Sequence, residues 1–222
     1  MRRYSILGIS LKDYTARESL RQMERFLGSG AMNTITYISA QTLEASAKEE
    51  SVKALLEKTD LTICAESDIL EAAGIASPLR IREIEERVVL QEFLRRIERV
   101  GDSIYLLGET QEDALLLKGT VEAFAEGVRF ADCKGYDAFE WQPERLMNAL
   151  NEAAPRVIFS RMSWPMDLEL MHQGRKFLNA EIWFALPEKK LPEKAKRSIF
   201  HNIRKRIFQK KVNEYNEEEA ER

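Results

Sequence analysis

Histidine and cysteine are scarce in this chain. His172 and His201 are the only histidines among 222 residues, so a histidine metal centre lacks its ligands. The two cysteines, Cys64 and Cys133, lie in apolar or strand-like surroundings. They read as reduced core thiols of a chain in a reducing compartment. No run of about 18 apolar residues exists for a membrane-spanning helix. Arg2 and Arg3 precede only a short mixed stretch before Asp13, too short and too polar for a signal peptide. A cytoplasmic location is expected. The chain also lacks G-x-G-x-x-G, a Walker loop, C-x-x-C and G-x-S-x-G, so the common short signatures of nucleotide, redox and acyl-transfer chemistry are missing. It shows no internal repeat and no low-complexity segment before residue 187.

What is present is the composition of a folded globular protein: 44% hydrophobic and 32% charged residues, enough for one sizeable α/β unit plus an appendage. The net charge of -3 selects no partner by itself. The organising stretch is Ser103 to Asp113. A short apolar run between Gly101 and Gly108 predicts a buried strand. Thr110 with Asp113 three residues on predicts the start of a helix.

The same unit recurs along the chain. Strands are expected at Tyr4–Leu11, Thr34–Ile38, Leu61–Ala65, Val128–Cys133, Arg156–Phe159 and Ile182–Leu186. Helices are expected after the Thr15–Glu18 capping box, over Gln41–Lys58, Asp68–Ala73 and Val88–Val100, from Thr110 to about Gly127, from Pro143, and over Met166–Leu178. Pro78 suggests a loop across Ala76–Glu86. Strands that alternate with helices about six times imply an α/β fold with a doubly wound, mostly parallel, Rossmann-like sheet. Ligands of such sheets sit outside the carboxyl ends of the strands. The chain divides into an α/β domain (1–186), a linker bracketed by Pro187 and Pro192 (187–193) and a basic helical appendage (194–222). The domain is expected to fold and stay soluble without the appendage.

Three features carry candidate chemistry. Gly108 ends a strand, either as a phosphate-loop residue or as a turn residue with positive φ. Glu66 and Asp68 follow another strand. They suit a divalent cation against a diphosphate, or Ser67 and Asp68 simply open the next helix. The third is Lys194–Lys211, where eight cations stand with no acid until Glu214, and Ile199, Phe200, Ile203, Ile207 and Phe208 recur at helical spacing. That pattern fits an anionic membrane surface, through Phe200, Ile203, Arg204 and Ile207. The alternative is a helix docked on its own domain or on a second protomer. Nucleic acid is not expected, because no other basic surface supports it.

The order and spacing of Ile6-Leu7-Gly8-Ile9, Lys58-Thr59-Asp60-Leu61, Glu86-Arg87-Val88, Leu106-Leu107-Gly108, Gly135-Tyr136 and Val157-Ile158-Phe159 before Pro165 resemble the bacterial WecG/TagA/CpsF glycosyltransferases. The likeness covers about residues 4 to 186. It implies transfer of an N-acetylmannosamine-type sugar from a UDP-sugar to a polyprenyl-diphosphate-linked acceptor of cell-envelope polysaccharide synthesis, at the inner face of the membrane, without metal or other cofactor. The family's catalytic Asp position falls on Ala65-Glu66, which makes Glu66, or Asp68, the candidate base. Its Thr-Ala-Asn-Pro-Glu-His stretch falls on Tyr37–Thr42 and its glycine-rich Gly-Leu-Gly-Ala-Pro-Lys-Gln stretch on Arg161–Asp167. By that correspondence Ser39, Gln41, Arg87, Gly108, Tyr136 and Asp167 are the substrate-binding candidates. The replaced positions also fit a catalytically silent relative that binds or scaffolds at the membrane. A working enzyme requires Glu66 and Arg87 to converge on an open cleft; filling of that cleft by Tyr37 and Trp164 would mark the silent form. Oligomeric state is open, a homo-oligomer included.

Overall fold

The computed structural model describes residues 2–75, 77–187 and 199–220. A two-stranded hairpin, β1 (Arg2–Ile6) and β2 (Ile9–Asp13), precedes the main body. One strand is expected from Tyr4 to Leu11; the chain instead reverses at Leu7-Gly8, both with positive φ (52° and 72°). This is the backbone that a two-residue hairpin turn demands. Leu7 gives no sign of it in sequence, because Asn or Asp is the usual partner of Gly there.

The body contains α1 (Ala16–Phe26), β3 (Asn33–Ile38), α2 (Ala40–Ser46), α3 (Glu50–Glu57), β4 (Leu61–Cys64), α4 (Ser67–Ala72), α5 (Pro78–Glu85), α6 (Val88–Val100) and β5 (Ser103–Gly108). It continues with α7 (Gln111–Glu122), β6 (Arg129–Gly135), a 3₁₀ turn (Tyr136–Phe139), α8 (Pro143–Ala153), β7 (Val157–Arg161), α9 (Met166–Gly174) and β8 (Ile182–Ala185). The six strands β3 to β8 form one parallel sheet in the order β4-β3-β8-β7-β5-β6. The expected α/β class and parallel sheet are therefore observed. Two local differences stand out. The helix expected over Gln41–Lys58 is two helices, broken at Ala47–Glu49, where Ala47 closes α2 and Glu49 opens α3. The loop expected around Pro78 is α5, because Pro78 occupies its first turn behind the Ser77 cap, where a missing N–H is harmless.

Apolar side chains cover both faces of the sheet. On one face Ile35, Leu106, Phe159 and Phe184 meet Met23 of α1, Phe93, Leu94 and Ile97 of α6, and Leu117 and Val121 of α7. The opposite face, with Ile38, Tyr105, Ile158 and Trp183, is covered by the hairpin and by α2, α3, α4, α8 and α9. Strand alternation decides the face of each side chain. A doubly wound sheet follows, with all six carboxyl ends at one edge.

The last helix, α10 (Ile199–Ala220), joins the second face. Phe208 and Val212 are each 2% exposed, and Tyr215 packs beside them. The spacing i, i+4, i+7 sets all three on one side of the helix. Lys205 pairs with Glu71 and lies 3.6 Å from Asp68 in α4; Lys211 pairs with Glu44 in α2. The segment that sequence sets apart as an appendage thus packs on the domain through its C-terminal half. Arg204, Arg206, Ile207 and Lys210 face outward. The side chains of Phe200 and Ile203, and the linker beyond Pro187, lie outside the described residues. No helix of the described residues is long and apolar enough to cross a membrane.

Candidate functional site

Several helices begin at the carboxyl edge of the sheet, and most close their own first turns. Thr110 and Asp113 form a reciprocal capping box on α7, and Ser39 and Thr42 one on α2. Such boxes satisfy amide donors that would otherwise face a ligand. Helix α6 differs. Its N-cap is Arg87, in the left-handed conformation (φ 52°), and makes no side-chain cap. A non-glycine residue held there costs about 1–2 kcal/mol.

Arg87 lines a cleft with Tyr14, Tyr37, Ile63, Arg80 and Glu83, of about 20 Å³, room for about one water. Tyr37 forms part of its wall and stacks on Phe184 with ring centroids 5.4 Å apart. Burial pushes the Tyr37 hydroxyl above its ordinary pKa, opposed by the Arg87 charge and the Leu90 amide. Burial likewise lowers the pKa of Arg87; Tyr37 opposes this, and the charge of Arg161 reinforces it. Arg161, at the end of β7, is 5% exposed. The outer wall is α5, none of whose residues is buried. It is pinned by Arg80, which donates to Asp13 at 2.7 Å, to the Tyr14 carbonyl at 2.6 Å and to Glu83. Burial works against the Arg80 charge, but these acceptors outweigh it and raise its pKa.

The carboxylates lie elsewhere along the edge. Glu66 is exposed, and its Oε2 accepts the Ala40 amide at 3.1 Å, across from β4 to the start of α2. The strand ends at Cys64, and Ala65 still donates to the Ile38 carbonyl. The turn after it re-aims Glu66 toward α2. Glu66 is not among the residues that line the Arg87 cleft. The convergence of Glu66 with Arg87 on an open cleft is therefore not what the structure shows; Tyr37 lines the narrow cleft beside Arg87. Trp164 packs against the core on the opposite face. Asp68 is buried and faces Lys205. Ser39 holds its helix cap, with its hydroxyl accepting from the Thr42 amide at 3.1 Å, and Gln41 is exposed beside it. Among the described residues no three His, Cys, Asp or Glu side chains gather at metal-binding spacing.

The remaining candidates have structural surroundings. Gly108 does not adopt positive φ; the reason for glycine is space, because a Cβ there would run into the Ala114 amide and the Thr110 carbonyl. Tyr136 is buried and donates its hydroxyl to the Trp141 carbonyl at 2.8 Å. Asp167 is 3% exposed. It accepts from Ser160 Oγ at 2.5 Å and from the Met162 amide at 3.2 Å, and Ser160 in turn accepts from Trp183 Nε1 at 2.8 Å. Burial pushes the Asp167 carboxyl up to about 7, against those two donors. Nearby, Glu109 accepts the Ser163 amide at 2.9 Å. The segment that corresponds to the glycine-rich stretch is thus filled by its own side chains. Sequence reasoning did not single out Arg161; the available signal was a cation closing an otherwise apolar strand.

A search of curated proteins returned no match. Residues 4–186 match the family described as Glycosyl transferase WecG/TagA/CpsF family. That span holds the whole parallel sheet, the residues of its carboxyl edge and every α/β unit described above. Family and fold together give a glycosyltransferase-type function in cell-envelope polysaccharide synthesis, and the chain belongs to the WecG/TagA/CpsF glycosyltransferase family.

Proposed function

We propose that the chain transfers an N-acetylhexosamine of the N-acetylmannosamine type from a UDP-sugar to a polyprenyl-diphosphate-linked acceptor. The observation that carries this reading is the family match across the entire sheet, with an exposed carboxylate and a guanidinium on its carboxyl edge. In this reaction Glu66 takes the proton of the acceptor hydroxyl. The oxygen then bonds to the anomeric carbon as the bond from that carbon to the diphosphate breaks, with UDP leaving. Arg87 neutralises the departing diphosphate, a task that suits its planar fork. Glu66 and Arg87 come together on one substrate only if the α5 wall moves, which requires the Arg80 contacts to Asp13 and the Tyr14 carbonyl to open. The outward face of α10, with Arg204, Ile207 and Lys210, would hold the enzyme on the anionic inner face of the membrane, where the acceptor resides.

A second reading is favoured by one observation: the cleft at Arg87, walled by Tyr37, has room for only about 20 Å³, while the Glu66 carboxylate is engaged by the Ala40 amide. That is the arrangement of a silent relative acting as a membrane-associated scaffold. Release of UDP from UDP-N-acetylmannosamine in the presence of a polyprenyl-diphosphate-linked acceptor separates the two. Glu66→Gln should abolish release while UDP still binds, and Arg87→Ala should weaken binding itself. If the wild-type chain binds no UDP-sugar at millimolar concentration, the enzymatic reading fails.

A further inference from the structure

Helix α10 carries its charges in an order that works against it. Its first turn holds no acid and its last turn no base. Arg204, Lys205, Arg206, Lys210 and Lys211 precede Glu214, Glu217, Glu218 and Glu219. The amino end of a helix is the positive end of its dipole, so cations stand where anions are favoured and acids where cations are. The inner side of the helix accounts for its place in the fold, since Phe208 and Val212 are buried there. Two of the cations also serve the body: Lys205 pairs with Glu71 and Lys211 with Glu44. The outer side is different. Arg206, Gln209, Lys210, Asn213, Glu214 and Glu217 share one outward strip. Arg206 and Glu217 are exposed and form no ion pair among the described residues. Lys210 meets Glu214 of its own helix at 3.4 Å, with the two side chains 77% and 55% exposed.

This strip is complementary to its own reverse. Turned end over end about a point between Lys211 and Val212, it sets Arg206 opposite Glu217, Gln209 opposite Glu214 and Lys210 opposite Asn213. Each facing pair joins a donor or cation to an acceptor or acid, and no like charges meet. Positions 206, 210, 213 and 217 follow the alternating spacing of a seam along which two helices pack side by side. Antiparallel packing also sets the two helix dipoles head to tail. The charge order that is unfavourable within one helix becomes favourable between two.

We propose that the outward strip of α10 pairs with α10 of a second copy of this chain, antiparallel about a two-fold axis, to form a homodimer. Such an interface is isologous, so each pairing occurs twice. The paired strip spans about 17 Å of helix at ~1.5 Å per residue. That is less than a standard interface needs for stable association, and exposed ion pairs each contribute little. The dimer is therefore weak and salt-sensitive, with the charge pattern setting partner and orientation more than strength. The inference goes beyond the sugar-transfer reading and does not depend on it. Arg204 and Ile207 lie on one flank of the strip. A two-fold axis across the pair keeps the flanks of both copies on the same side, so pairing leaves them free to meet a membrane.

Sedimentation equilibrium of the full chain, without lipid, tests this. In about 0.01 M salt, where screening sets in only beyond ~30 Å, the wild type should show a monomer–dimer equilibrium. The concentration series runs to about 1 mM protein, as suits a small interface. In about 1 M salt, with a screening length of ~3 Å, the dimer should be lost. Arg206→Glu and Glu217→Arg should each weaken self-association at least tenfold, because each creates two like-charge contacts. Both sites are exposed, so both variants should melt like the wild type. Mixed one to one, the two variants should associate again with about wild-type affinity, since both 206–217 contacts between them then join an acid to a base. A wild type that stays monomeric at low salt overturns the proposal. So do single variants that dimerise as the wild type does, or a mixture that fails to recover. If Arg206→Glu weakens binding to anionic vesicles while the wild type stays monomeric in solution, the strip belongs to the lipid surface and the proposal falls.

Discussion

Replacing Phe208 by alanine tests whether α10 is part of the folded body. Phe208 is 2% exposed and sits in the same apolar cluster as Ile6, Leu43, Ile69 and Leu70. A buried phenylalanine removes about 150–250 Å² from water, which at ~25 cal/mol per Å² is about 4–6 kcal/mol gross. Substitutions of this kind destabilise by about 3–5 kcal/mol, a large share of the roughly 5–15 kcal/mol typical of a whole protein. The Lys205–Glu71 pair, about one-quarter exposed on each side, should matter much less, under about 1 kcal/mol. Equilibrium unfolding in urea measures both. Phe208→Ala is expected to shift the midpoint strongly downward at nearly constant slope, and Lys205→Ala to shift it little. A chain ending at Pro187 should expose the apolar footprint of Phe208 and Val212 and lose solubility or its cooperative melt. An unchanged midpoint for Phe208→Ala, or a truncated chain that melts like the full one, would show that the helix is a separate appendage after all.

Two further outcomes are expected. The folded protein keeps the Asp167 proton up to about pH 7, whereas an unfolded aspartate loses it near 3.9. The stability from this group is therefore complete below about pH 4, and is lost as pH rises to about 7, by up to ~4 kcal/mol at 1.36 per unit. Urea midpoints from pH 4 to 8 should fall more steeply for the wild type than for Asp167→Asn; parallel curves would refute this. Anionic vesicles should bind the full chain in a salt-sensitive way, each cation near the surface adding about 1 kcal/mol. Because Ile207 is 50% exposed among cations, Ile207→Glu should weaken that binding; equal binding at low and high salt would argue against a membrane role for this face.

The sheet was legible because each strand is a short apolar run closed by turn or cap residues, as at Gly101, Gly108 and Thr110. The hairpin was not, because Leu7 is an unexpected residue in a positive-φ turn. Nor was α5, because Pro78 is a breaker inside a helix but a good first residue of one. The site was less legible. Ser39, Gly108, Tyr136 and Asp167 stand where family spacing puts ligand contacts, but a capping box, a close backbone approach, the Trp141 carbonyl and the Ser160 hydroxyl explain them locally. Arg161 escaped notice for the opposite reason. Its environment is unusual only in what does not pair with it, since among the described residues its buried Nε has no partner, and partner absence is a property of three dimensions.

The sheet order has a bearing on how this chain is made. Strand β8 lies between β3 and β7, so the last strand translated is the one that joins two halves. Until Ala185 has emerged, β3 with β4 and β7 with β5 and β6 each present an unpaired inner edge, the kind that invites pairing with another chain. At bacterial-scale synthesis rates of about 5–20 residues per second, the roughly 150 residues from β3 to β8 take about 8–30 s. The β3 edge is open for that whole time and the β7 edge for about its last 1–5 s, from Arg161 to Ala185; until then the nascent protein depends on something other than its own central strand to keep them apart. A ribosome stall before residue 182 would leave two open half-sheets, not a smaller copy of the fold.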